Sequence, residues 1–386
     1  MAAMTAAISL ATTDTPAPVR PALLEFTPDQ LRGWLAARNQ PPMRAKQIRR
    51  WVLQARATSF EEMTDLPKGL REELTAHFDL FGTQVDQHQV STDGTHKLLL
   101  RLHDGKKIEC VLIQDDGRAT ACISTQVGCG MGCVFCASGL NGVDRNLTVG
   151  EMVEQLVRLR NLTDAKPTNP ERAPRLTHIV VMGMGEPLAN LDRLLEALAI
   201  AGSKDGLDIG QRHITISTVG LPAKIRQLAD IDKQYHLAVS LHAPNDVLRT
   251  EIVPTNSKTG IPEILAAADY YFATTGRQVT YEYVVLGKQN DQPVHAKQLV
   301  GLLRGRKAHV NLIPWNDVSG LPFRRPSDTD LTAFIDTVRK AGISVKVRKR
   351  KGSDIDAACG QLRRSAEQRS EVGGQKTDVR PEPLLT

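Results

Sequence analysis

Residues 126–139, QVGCGMGCVFCASG, set cysteines at 129, 133 and 136, directly after the β-branched run TACIST at 120–125. Three thiolates in C-x3-C-x2-C spacing on one short glycine-bearing loop can hold three irons of a [4Fe–4S] cube and leave the fourth iron without a protein ligand. An iron left open can chelate the amino and carboxylate groups of S-adenosylmethionine (SAM). It can then pass one electron to the sulfonium and release a 5′-deoxyadenosyl radical. A structural zinc site and three incidental buried thiols are the competing readings. Zinc ordinarily takes four protein ligands, often as paired C-x2-C units, and no nearby His or fourth Cys completes such a set.

Outward from this loop, β-branched runs alternate with amphipathic helical patterns. After TACIST come THIVVMGMG (177–185), HITISTVG (213–220), HLAVSLHA (236–243), VTYEYVVLG (279–287), HVNLIPWN (309–316) and ISVKVRK (343–349). Helical stretches such as GEMVEQLVRLRN (150–161) and LDRLLEALAIAG (191–202) lie between them. Repeated β-then-α order predicts an α/β fold on a parallel sheet, open or closed into a barrel. Ligands sit beyond the C-terminal ends of parallel strands, and here those ends carry GMGEP, STVG, SLHAPND and NLIPWND.

Upstream, residues 26–78 repeat apolar side chains at three- and four-residue spacing, which predicts a small helical module with Thr27 and Asp65 as caps. Its basic run Arg44, Lys46, Arg49 and Arg50 reads first as a solvated helix face. From 84 to 114 the period switches to two, with Asp104-Gly105 at a hairpin turn. The expected division is a tail at 1–25, a helical accessory domain at 26–82, a β-hairpin linker at 83–117, a catalytic domain at 118–360 and a C-terminal tail at 361–386. Both tails are polar or rich in Ala, Thr, Gly and Pro, and are expected to be disordered.

The chain has 386 residues, 41% hydrophobic and 24% charged, the balance of a globular protein with a sizeable core. No apolar run approaches the roughly 20 residues that span a bilayer, and the N-terminus has no secretory pattern; no membrane partner and a cytoplasmic location are expected. The 49 Lys and Arg outnumber 43 Asp and Glu, for a net charge of +6, which favours a polyanionic partner. Crowding of the cysteines, without a secretion signal, favours a metal or redox site over a disulfide framework.

C-x3-C-x2-C with Phe135 before the last cysteine is the signature of the radical SAM superfamily. GMGEPL (183–188), ISTVG (216–220), SLHAPND (240–246), NLIPWN (311–316) and RKRKGSDIDAACGQL (348–362) resemble, in the same order, the RlmN/Cfr family of RNA adenine methyltransferases. The resemblance runs from about residue 26 to residue 363. It departs from the commoner pattern at Leu140, Asn141 and Val143. It implies a partial (β/α)6-type radical SAM barrel with a small N-terminal helical, RNA-binding domain and a β linker.

The resemblance also implies roles for individual residues. Cys359 takes a methyl group from one SAM, and a second SAM supplies the radical that removes hydrogen from that methyl. Cys122 then forms a disulfide with Cys359 to release the product, and Glu109 is the base that takes the ring proton. Gly185, Glu186, Ser217, Ser240, Leu241, His242 and Asn316 correspond to the family's SAM contacts. The cofactors implied are a [4Fe–4S] cluster on Cys129, Cys133 and Cys136 and two SAM per turnover. The partners are 23S rRNA and tRNA and an electron donor such as flavodoxin, and a monomer is expected. Each residue has a plainer reading: Cys122 as an inward strand residue, Glu109 as an exposed strand glutamate, His242 as a strand-end polar group, Cys110 as a core thiol. The basic run Lys346, Arg348, Lys349, Arg350 and Lys351 reads either as a solvated face or as a phosphate contact beside the Cys359 loop. The GMGEPL and DAACGQL motifs point to methylation of adenine carbon 2. Methylation of carbon 8 and a non-catalytic metal-containing RNA-binding protein are the rivals.

Overall fold

The computed structural model describes residues 20–115, 117–163, 175–316, 320–348, 351, 352 and 355. Both expected tails, apart from a few residues after position 19, lie outside the described residues, as do Lys349, Arg350 and Cys359. The chain begins with α1 (Pro28–Ala36), α2 (Met43–Leu53) and α3 (Lys68–His77). Thr27 caps α1 in a full capping box with Gln30, as its position predicts.

Asp65 is not a cap. Pro67 stands at the start of α3 without a side-chain cap, and Asp65 instead accepts hydrogen bonds from Trp51 Nε1 at 2.5 Å and Arg50 Nη2 at 2.9 Å. The aspartate is thereby used to tie α2 to the segment before α3. The basic run on α2 is only partly a solvated face: Arg44 donates to the Asp65 carbonyl, Lys46 pairs with Asp205, and Arg49 is half-buried and donates to the Phe26 carbonyl.

Three antiparallel strands follow, β1 (Gln84–Val90), β2 (His96–Arg101) and β3 (Lys107–Asp115). Gly105, at φ +78°, makes the turn predicted at Asp104-Gly105. β3 pairs antiparallel with β4 (Arg118–Cys122), so the segment read as a linker is hydrogen-bonded into the main sheet. β5 (Gln126–Gly128) and β6 (Val143–Asn146) form a separate small hairpin. Then come α4 (Val149–Asn161), β7 (His178–Val181), α5 (Leu191–Gly202), β8 (Ile214–Thr218), α6 (Pro222–Asp230) and β9 (His236–Ser240). The chain continues through α7 (Asp246–Ile252), α8 (Ile261–Thr275), β10 (Val279–Val285), α9 (Pro293–Leu303), β11 (Ala308–Pro314), α10 (Asp328–Lys340) and β12 (Ser344–Val347).

The large sheet has the order β1-β2-β3-β4-β7-β8-β9-β10-β11-β12, and it is parallel from β4 to β12. β12 thus adds a seventh parallel strand to the six-unit plan. Among the described residues β1 and β12 are the edge strands, so the sheet is an open, partial barrel. Alternate residues of its strands, among them Ile113, Thr120, Val180, Glu282 and Asn311, line a concave cavity of about 590 Å³. The opposite face meets the helices in one continuous core that also takes in Leu31, Leu35, Ile48 and Leu74 of the N-terminal module. Arg160 of α4 fastens that module by donating to the carbonyls of Val52 and Leu53 at 2.8 and 2.6 Å, satisfying the C-terminal end of α2.

Candidate active site

The cysteine loop is the turn of the β5–β6 hairpin. Gln126 pairs with Asn146 and Val127 with Arg145, and the Cys129 N–H donates to the Gly142 carbonyl at 2.7 Å. Gly128 permits this closure: its φ is +77°, and a Cβ there would stand 2.2 Å from the Gly142 oxygen. The loop is then anchored on the barrel. The Val134 N–H donates to the Ile252 carbonyl and Trp315 Nε1 to the Phe135 carbonyl, both at 3.1 Å.

Phe135, Val219, Ala243, Ile252, Val253 and Trp315 belong to an apolar cluster distinct from the main core, and Cys133 and Cys136 pack against it. Burial raises the Cys129 thiol to about 11; burial, with Cys136 and Cys129 beside it, raises Cys133 further. Without metal these thiols are therefore neutral, and bound iron supplies the positive charge that a buried thiolate needs. Among the described residues no group of three or more His, Cys, Asp and Glu converges on one ion position. A cube spreads its ligands over separate iron corners. The loop, its apolar wall and its three thiols fit a [4Fe–4S] cluster.

The GMGEP loop lies against the cysteine hairpin. Gly185 has φ +102°, and a Cβ there would fall 2.6 Å from the Gln126 Cβ. Gln126 Oε1 accepts from the Glu186 N–H at 2.8 Å. The Glu186 carboxylate is buried; Oε1 accepts from the Leu188 N–H and Oε2 from the Val219 N–H, so it joins GMGEP to STVG. Burial raises its pKa, while the two backbone N–H groups act the other way. A carboxylate has about four lone-pair positions, so these bonds leave acceptor capacity for an ammonium group.

Glu282 and Asn311 line the cavity, and Ser217 Oγ, 3.2 Å from Ser240 Oγ, donates to Glu282 Oε2 at 3.2 Å, while Asn311 Nδ2 donates to Glu282 Oε1 at 3.2 Å. The N–H groups of Leu241 and His242 both donate to the Glu282 carbonyl. His242, at φ +60°, accepts from the Val284 N–H through Nδ1 at 3.1 Å and meets Phe135 edge-on at 5.0 Å. Burial, with Arg249 nearby, lowers its pKa to about 3, so the ring is neutral. Asn316 lines the cavity and accepts from Arg325 Nη1 at 3.4 Å.

Cys122 and Glu109 meet across the other wall. Val111 pairs with Cys122 in the β3–β4 register, and Glu109 lies two residues along β3 on the same face. Glu109 and Cys122 share a small cavity with Gly183 and Met184, and Val111 lines both it and the large cavity. Glu109 is buried rather than exposed, and its carboxylate pairs with Lys97 Nζ at 2.9 Å. Ser124 Oγ donates to the Glu109 carbonyl at 2.6 Å and accepts from the Met184 N–H at 2.9 Å. Cys110, one residue on, faces the core, where burial raises its thiol.

Lys97, Glu282, Asn311 and Arg249 were not singled out in the sequence. A glutamate inside the apolar run VTYEYVV was the available signal for Glu282. Arg249, buried, donates to the carbonyls of Leu241, Val219 and Ser240 and to Asn256 Oδ1, holding the strand ends together.

Comparison with known proteins agrees with this geometry. Residues 22–80 match the model of the ribosomal RNA large subunit methyltransferase N-terminal domain, and residues 123–299 match the radical SAM superfamily. A Rhodopirellula baltica protein described as a probable dual-specificity RNA methyltransferase RlmN is 55% identical over 354 residues, 92% of this chain and 93% of that protein. A Geobacillus kaustophilus protein of the same description is 46% identical, over 90% of this chain and 93% of its own. The crystal structure of a radical SAM methyltransferase from Sphaerobacter thermophilus superposes with a TM-score of 0.83 at 43% identity, covering 88% of this chain and 98% of that one. A chain so similar over nearly its whole length, with the cysteine loop closed at the mouth of a partial barrel, belongs to the RlmN family of radical SAM methyltransferases.

Proposed function

We propose that this protein methylates carbon 2 of an adenine in 23S rRNA and in tRNA by way of a methyl group carried on Cys359. Carbon 2 lies between two ring nitrogens and has no lone pair with which to attack a sulfonium, so a polar transfer to it fails and a radical route is required. When bound at Cys129, Cys133 and Cys136, the cluster with SAM supplies the 5′-deoxyadenosyl radical.

The chain's own residues do the rest. The Cys359 thiolate accepts the methyl by displacement. After that S-methyl group has lost a hydrogen atom, its carbon bonds to carbon 2 and links protein to RNA. Once this adduct has given up one electron, which the bound cluster would take back, Glu109 takes the proton from carbon 2. The Cys122 thiolate attacks the Cys359 sulfur, the S–CH2 bond breaks with its electron pair passing to the base as an enamine that takes up one proton to become the methyl group, and a Cys122–Cys359 disulfide remains for an external reductant to reopen. Gly185, Glu186, Ser217, Ser240, Leu241, His242 and Asn316 are assigned to SAM. The adenine must leave its stack to enter the cavity, and the helical module at 26–82 contributes RNA binding. Flavodoxin as electron donor and a cytoplasmic monomer complete the reading; no described helix is long and apolar enough to cross a membrane.

The observation that carries the proposal is the shared cavity of Glu109 and Cys122, separated only by Val111 from the space that Cys136 and Asn316 line. Replacement Cys359→Ala tests it, with nucleoside mass spectrometry of the RNA as readout. Loss of 2-methyladenosine is expected; an unchanged yield, or 8-methyladenosine in its place from the native chain, overturns it.

A further inference from the structure

Lys97 is fully buried on β2, and its ammonium has been drawn into the barrel wall rather than out to solvent. In the β2–β3 register Lys97 pairs with Val111 and Leu99 with Glu109, so the lysine and the glutamate are diagonal neighbours on one face. Nζ reaches Glu109 Oε2 at 2.9 Å, and the two side chains are 0% and 3% exposed. A buried ion pair adds little net stability over an apolar pair of the same volume, because desolvation offsets the attraction. What such a pair does supply is a fixed place for one carboxylate oxygen, with a countercharge that makes its burial tolerable.

The backbone of Glu109 is fixed as well. Ser124 Oγ holds its carbonyl and is itself held by the Met184 N–H of the GMGEP loop. With main chain and carboxylate both anchored, Glu109 stands beside Cys122 in a cavity of about 10 Å³ that leaves it no room to wander.

We propose that Lys97 is a positioning residue for proton removal, acting through Glu109. The proposal rests on the reading of Glu109 as the base. Lys97 touches neither the base ring nor SAM; it aims the carboxylate and balances its charge while Glu109 waits for the ring proton. Its loss therefore acts late, after the carbon–carbon bond between Cys359 and adenine has formed.

The test uses the full chain with its cluster reconstituted, SAM, reductant and an RNA fragment containing the target adenine. The variants are Lys97→Met, Lys97→Arg and Glu109→Gln. Three products are followed: 5′-deoxyadenosine, the protein–RNA adduct that survives denaturation, and 2-methyladenosine. For Lys97→Met, 2-methyladenosine is expected to fall by about a hundredfold, the lower range for loss of a general base, while the adduct accumulates and 5′-deoxyadenosine still forms. Lys97→Arg, which keeps the charge, is expected to recover much of the product.

If Lys97→Met lowers all three products together and Lys97→Arg does no better, the role is structural and the proposal is overturned, while adduct accumulation in Glu109→Gln leaves the base assignment standing. If Glu109→Gln accumulates no adduct, the base assignment itself fails and the proposal with it. Should Lys97→Met not fold, the charge-neutral pair Lys97→Met/Glu109→Gln decides the matter: its product yield is expected to equal that of Glu109→Gln alone, and a further loss overturns the proposal.

Discussion

Lys351 Nζ stands 3.0 Å from Asp115 Oδ1 at the end of β3. One residue on, the Gly352 N–H donates at 2.9 Å to Asp93 Oδ2 in the turn between β1 and β2. The chain leaving β12 at one edge of the sheet is thus tied to strands on the far side of the cavity. Both contacts lie seven or eight residues before Cys359.

Weakening this tie should uncouple SAM cleavage from methylation. The ion pair is partly exposed, so its loss removes no more than about 1 kcal/mol, a few-fold change at most. For Asp115→Asn the ratio of 2-methyladenosine to 5′-deoxyadenosine is expected to drop by about that factor, and for Asp115→Asn/Asp93→Asn by more. Equal decline of both products would show that the tie does not serve the Cys359 segment.

His242 should make the protein acid-sensitive. Its folded-state pKa is lowered to about 3 from the usual 6.5 by burial. A depressed value means that the unfolded chain takes up a proton first as pH falls. The stabilisation is complete above 6.5 and is lost progressively from there toward 3. At pH 4.5 the loss is about 3 kcal/mol. Urea midpoints recorded from pH 7 to 4.5 should decline less for His242→Gln than for the native chain; parallel declines would assign the sensitivity elsewhere.

RNA binding at the cavity should depend on Lys346 and Arg348 rather than on Arg49 and Arg50 of α2. Both are exposed and both line the large cavity, whereas Arg50 is committed to Asp65 and Arg49 is half-buried and bonded to the Phe26 carbonyl. Each of Lys346→Ala and Arg348→Ala is expected to reduce the slope of log affinity against log salt by about 0.7 to 0.9, with Arg50→Ala leaving it unchanged. Fluorescence anisotropy of a labelled RNA fragment over a salt series measures this directly.

The sequence by itself determined the local pieces. C-x3-C-x2-C on a glycine-bearing turn confines three thiols within one loop whatever lies around it, and Thr27 or Gly105 meets a backbone requirement within a few residues of itself. The β-then-α order likewise prescribes a parallel sheet with its ligands at one rim. Register, and the contacts made across it, belonged to the tertiary structure alone. Lys97 meets Glu109 because β2 and β3 pair in one alignment and not its neighbour, since a slip of one residue would turn each side chain to the opposite face. Trp315 reaches the carbonyl of Phe135 from 180 residues away, and Glu282 gathers Ser217 and Asn311 from two other strands. Asp65 shows the limit from the other side: its position suits a cap, but Trp51 and Arg50, brought near by helix packing, take its oxygens instead. Hydrogen bonds within a turn are dictated by spacing along the chain, whereas those between strands depend on which faces the packed core brings together.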